Sequence, residues 1–210
     1  PLQREAFQES GRRVTLYKGV REWFARINAY GAARGIRILH YINSSGLKEI
    51  IEGTEIAHEF RRIYACSFLY DIDGVAYWPA VAVNYTNKTQ FIFKINKGVE
   101  SVFDSKLVNQ YIEEDKRPVP FRRMIYVGDG TTDIPCMRLV KNSGGHSIAV
   151  YNPEIRNARR ELNGLIRDNR VSHVCPADYS EGSEMDTLVK TIIDKIEADH
   201  RLELLETPRT

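Results

Sequence analysis

The sequence predicts an α/β protein with a mainly parallel sheet, and three observations carry that expectation. Runs such as "IRILHYI" (36–42), "MIYV" (124–127) and "SIAVY" (147–151) are apolar along most of their length, as expected of parallel strands covered on both faces. Amphipathic stretches of helical period separate them. The alternation continues through most of the chain, which argues for a three-layer α/β/α, Rossmann-like sandwich with right-handed crossovers, in a length suited to one main domain.

The elements follow in order. Val20, Trp23, Phe24, Ile27 and Tyr30 recur at helical spacing within residues 16–33, and Gly31 and Gly35 offer stops. The strand 36–42 comes next, and Asn43-Ser44-Ser45-Gly46 turns it into a helix, "LKEIIEG". "FRRIYACSFLYD" and "VAYWPAVAV" flank Asp73-Gly74 and predict a β-hairpin. A helix "KTQFIFKIN", a charged connection, the strand "MIYV", the helix "IPCMRLVKN" and the strand "SIAVY" follow. A helix "EIRNARRELNGLIRD" started by Asn152-Pro153-Glu154, a strand "SHVC" and a helix over 183–206 complete the reading.

Composition excludes several function classes. Thirty Lys and Arg against 28 Asp and Glu give a net charge of +2, and no basic block interleaved with aromatics occurs, so no nucleic-acid partner is expected. No apolar run is long enough to span a bilayer, so no membrane partner is expected either. The three cysteines, Cys66, Cys136 and Cys175, are dispersed and lack CxxC spacing, which suits a reducing cytoplasm and neither a disulfide framework nor a zinc cluster. The five histidines show no ligand spacing. Nothing in the sequence sets the oligomeric state.

Ligands of open parallel sheets sit beyond the carboxyl ends of the strands, and two segments there carry suitable chemistry. Asn43-Ser44-Ser45-Gly46 offers hydroxyls and backbone N–H groups at a helix N-terminus, which suits a phosphate, with Ser44, Ser45 and Gly46 as the phosphate-binding residues. Gly128-Asp129-Gly130-Thr131-Thr132-Asp133 offers two carboxylates for a hard cation, with glycines that let the backbone turn tightly. Lys88 opens a helix and supplies a point charge suited to a phosphoryl group.

In this order the three motifs resemble those of the haloacid dehalogenase superfamily, most closely its phosphoserine-phosphatase-like members. Ser44 matches the second motif, with "SSG" in place of the common "SGG", Lys88 the third, and Gly128, Asp129, Gly130 and Asp133 the acidic fourth. The resemblance implies a Mg²⁺-dependent phosphohydrolase acting on a small phosphorylated metabolite through an aspartyl-phosphate. Asp129 would be the direct Mg²⁺ ligand, Asp133 a ligand or its supporting partner, Ser44 the phosphate donor and Lys88 the phosphoryl clamp. Thr132 stands where relatives often have Asn.

The family's first motif, DxDx[TV], is expected upstream of Pro1, on a strand lying between "IRILHYI" and "MIYV", making this chain part of a longer enzyme. Residues 1–14 then read as the tail of an inserted helical cap and 15–210 as the core. The one DxD present, Asp71-Ile72-Asp73, comes after Ser44 and is expected to be a hairpin turn. A phosphotransferase or phosphomutase shares every motif, and a non-catalytic phospho-ligand or protein-binding module is the alternative from another class.

Overall fold

The computed structural model describes residues 2–104 and 106–206. The fold is α/β, with two three-stranded sheets. In chain order the elements of the first half are α1 (Arg4–Gly11), α2 (Val20–Ala32), β1 (His40–Leu47), α3 (Lys48–Glu52), β2 (Phe60–Tyr70), β3 (Ala76–Val81) and α4 (Lys88–Lys97). Then come α5 (Lys106–Asn109), β4 (Ile125–Gly128), α6 (Ile134–Asn142), β5 (His146–Tyr151), α7 (Ala158–Arg167), β6 (His173–Pro176) and α8 (Glu184–Glu206). They divide into two compact units, one of Pro1–Thr15, Leu39–Pro120 and Thr131–Cys136, the other of Leu16–Ile38, Phe121–Gly130 and Met137–Thr210. No helix among the described residues is long and apolar enough to cross a membrane.

In the first unit β1 and β2 run parallel and β2 and β3 antiparallel. β1 occupies residues 40–47, later in the chain than the apolar run suggests, because β2 begins opposite it only at Phe60, the partner of His40. A strand needs a neighbour for its backbone groups, so the apolar residues 36–39 stay outside it. Tyr64 and Ala65 of β2 are buried with Phe91, Ile92 and Ile95 of α4, and the rings of Tyr64 and Phe91 lie 5.3 Å apart. α1 packs on α3, where Gly11 meets the Ile50 carbonyl and Gly53 meets Gln8 so closely that neither position has room for a Cβ.

The β2–β3 turn accounts for the DxD sequence without chemistry. Asp71 Oδ1 accepts from the N–H of Asp73 at 3.0 Å and of Val75 at 2.8 Å. Gly74 takes φ +75°, a conformation that glycine adopts without strain. Trp78, opposite Leu69, is exposed.

The second unit holds the all-parallel sheet β4-β5-β6. β5 lies in its middle, and its residues 147–150 are all buried. Met137, Ala149, Val171 and Val174 form a core against which Tyr126, Tyr151, Leu162 and Leu165 pack. Met137 and the two valines each contribute about 1.5–3 kcal/mol when fully buried. α2 is fastened to α8 by Arg26, whose Nε donates to Asp186 Oδ1 at 3.0 Å, while Lys190 Nζ reaches Asp186 Oδ2 at 2.8 Å. Two helices begin later than the apolar pattern suggests. Gly19, at φ +77°, delays α2 to Val20, and Asn157, at φ +67°, delays α7 to Ala158, with Asn152-Pro153-Glu154 forming a separate turn.

β4 and β1 share one feature: among the described residues each is hydrogen-bonded along one side only, β1 to β2 and β4 to β5. Burial along them is lower than along the central β5. Whereas β5 is buried along four successive residues, β1 has no fully buried residue, and Val127 of β4 is exposed.

Candidate functional site

Within the first unit, the sequence places Ser44 where β1 leaves its ladder. Asn43 pairs with Tyr64 and Leu47 with Cys66, so residues 44–46 bulge out between them. The Ser44 hydroxyl accepts a hydrogen bond from the Gly46 N–H at 3.0 Å, closing a small turn. Ser44 is half-buried, and Ser45 and Gly46 are exposed. The expectation of a turn leading directly into a helix is thus corrected: the strand resumes at Leu47, and α3 spans only five residues, too few for a substantial dipole at its N-terminus.

Lys88 is the first residue of α4, and asparagines lock the loop before it. Asn84 N–H donates to Asn87 Oδ1 at 2.8 Å, Asn87 Nδ2 to the Ala82 carbonyl at 2.8 Å, and Lys88 N–H to the Asn84 carbonyl at 3.0 Å. The ammonium so delivered is 4% exposed and lies 2.6 Å from Asp133 Oδ1. Asp133 ends the short 3-10 turn Thr131–Asp133 that leads into α6 and is itself buried. An ion pair removed from water in this way is held by direct contact, since a lone buried charge is strongly disfavoured.

A residue that the motif reading passed over completes this cluster. Asn43 Nδ2 donates to the Lys88 main-chain carbonyl at 3.0 Å and lies 3.8 Å from the sulfur of buried Cys136. Its Oδ1 is buried without a hydrogen-bond partner among the described residues. The signal was present in the sequence as one amide side chain at the end of the apolar run 38–42 and directly before Ser44.

In the second unit Gly128 closes β4, buried and paired with Ala149, and the exposed Asp129 follows at the carboxyl end of the sheet. Tyr179, beyond β6 on the same edge, has its phenol pushed up by burial and further by the charges of Cys175 and Asp129. Its ring stands edge-on to Trp23 with centroids 5.2 Å apart. Gly130 is half-buried, as is Thr132 in the first unit.

Lys88 and Asp133 are therefore brought together, with Asn43 joining Lys88 to the segment that bears Ser44, Ser45 and Gly46. Among the described residues no group of three or more His, Cys, Asp or Glu gathers to hold a metal ion. Of the two carboxylates of the acidic loop, Asp129 falls in the second unit and Asp133 in the first. Asp129 is exposed, whereas Asp133 is buried with an oxygen engaged by Lys88.

No family model matches the chain. It is 28% identical over 219 aligned residues to an uncharacterized protein of Borreliella burgdorferi, in an alignment that covers 93% of this chain and 71% of that protein.

Proposed function

We propose that this chain belongs to a cytoplasmic, Mg²⁺-dependent phosphohydrolase of the haloacid dehalogenase type, with a Rossmann-like core, that cleaves a small phosphate monoester. The observation that carries the reading is the buried Lys88–Asp133 pair, 2.6 Å apart, whose lysine opens α4 and whose aspartate closes the acidic loop. Two motifs recognised separately in the sequence, 45 residues apart, meet as one charged unit. A solvated surface lysine, the bland alternative for Lys88, would not be buried.

Each residue has a role in that chemistry. Lys88 neutralises charge on the phosphoryl oxygens, Asp133 holds the ammonium in position, and Ser44, with the N–H groups of the bulge around it, orients those oxygens. Asp129 would hold Mg²⁺, which supplies further neutralisation of the phosphoryl charge. The attacking carboxylate of this reaction class would come from a strand additional to the six described.

The test is Asp129→Ala in the protein expressed from its natural gene, assayed with p-nitrophenyl phosphate. Mg²⁺-dependent turnover is expected to disappear. Unchanged Mg²⁺-dependent turnover refutes the assignment.

A further inference from the structure

Building on the phosphohydrolase reading, we infer that Asn43 is a positioning residue that ties Lys88 to the strand carrying Ser44. Lys88 is the first residue of α4, so whatever holds its main chain sets the point from which the ammonium reaches out. The bonds from Asn84 and Asn87 hold it to its own loop. Asn43 Nδ2, donating to the Lys88 carbonyl at 3.0 Å, is the side-chain link from β1, one residue before Ser44. A single amide therefore couples the spacing of the hydroxyl and the ammonium.

The orphaned oxygen supports this reading. Lys88 O is an acceptor only, so the amide must turn its Nδ2 toward it. That orientation leaves Oδ1 buried with no donor among the described residues, a state that is destabilising by itself. A residue serving packing alone would be apolar here, continuing the run Ile38-Leu39-His40-Tyr41-Ile42 with a β-branched side chain suited to a strand. The amide is explained by what its nitrogen does. Displacing a reacting or charge-bearing group by about 1 Å can lower a rate about 10²-fold, which is the scale at which such a link matters.

Asn43→Val separates a functional from a structural role, because it removes the amide while providing a side chain that suits the strand. In the protein expressed from its natural gene, with p-nitrophenyl phosphate and Mg²⁺, Asn43→Val is expected to lower kcat/KM about 10–100-fold with the melting temperature unchanged or raised. In a Lys88→Gln background the same substitution is expected to change kcat/KM less than about twofold, as required of a residue that acts through Lys88. Asn43→Thr, closer in shape and polarity, repeats the comparison if the valine variant folds poorly. Retained turnover in Asn43→Val, or an equal loss in both backgrounds, overturns the inference while leaving the phosphohydrolase reading intact. Absence of Mg²⁺-dependent turnover from the unsubstituted protein removes both.

Discussion

Two buried lysines sit at the two ends of α4 and are used in opposite ways. Lys94, 5% exposed, gives its ammonium to two main-chain carbonyls, Ser101 at 2.9 Å and Asp104 at 2.7 Å, and so pins the chain that follows the helix. The ammonium of Lys88, 4% exposed, makes one hydrogen bond among the described residues, to the carboxylate of Asp133 at 2.6 Å. An ammonium has three donors. Lys94 spends its donors on fixed backbone, whereas among the described residues the ammonium of Lys88 is held by one flexible side chain. Burial alone does not mark a functional group; the kind of partner does.

The difference is open to direct attack, and the largest effect on stability is expected at the Lys88 end. Asp133→Ala leaves a buried ammonium without its counter-ion and is expected to destabilise by about 3–5 kcal/mol, measured by denaturant unfolding. A loss below about 1 kcal/mol would mean that the pair is no more than a surface contact.

Lys94→Met comes next, with an expected destabilisation of about 1–3 kcal/mol from carbonyls left without a donor. Faster amide exchange in residues 98–104 should accompany it, with no change in phosphoester turnover. Burial lowers the Lys94 pKa from 10.5, against the smaller opposing effect of Asp104. Because the folded value lies below the unfolded one, the associated stability is present above about pH 10.5 and lost as pH falls through the folded value. Wild type should therefore gain stability relative to Lys94→Met as pH is raised toward 10.5. A difference that is flat with pH in that window would contradict the burial argument.

The smallest effect is expected at Asp71. Asp71→Ala removes the acceptor for two N–H groups of the hairpin turn and is expected to destabilise by about 0.5–1.5 kcal/mol, leaving phosphoester turnover unchanged. A large loss of turnover would make the DxD sequence catalytic and displace the proposed reading of Lys88 and Asp133.

How far the sequence carries the account depends on range. The α/β class, the Asp73-Gly74 hairpin and the helix opened by Lys88 rest on local period and turn chemistry, and the structure bears these out. Element limits that depend on a remote neighbour do not read out locally. Residues 36–39 look like strand, yet β2 offers no partner there, and the apolar pattern before Val20 is overruled by the left-handed Gly19. The site shows the same division. Lys88 and Asp133 are recognisable as types in motifs, but their contact spans 45 residues and no spacing rule predicts it. The bond from Asn43 to the Lys88 main chain is likewise invisible in one dimension, although the polar residue at the end of an apolar run marks where to look.

The most direct test of the central claim removes the charged pair while keeping its volume. Lys88→Met/Asp133→Leu replaces a buried ion pair by apolar side chains, an exchange often neutral for stability, in the protein expressed from its natural gene. The account predicts a cooperative melt close to that of wild type together with a loss of Mg²⁺-dependent p-nitrophenyl phosphate turnover of about 10²–10³-fold or more. A folded double variant that retains wild-type turnover would contradict it and reduce Lys88 and Asp133 to a structural pair.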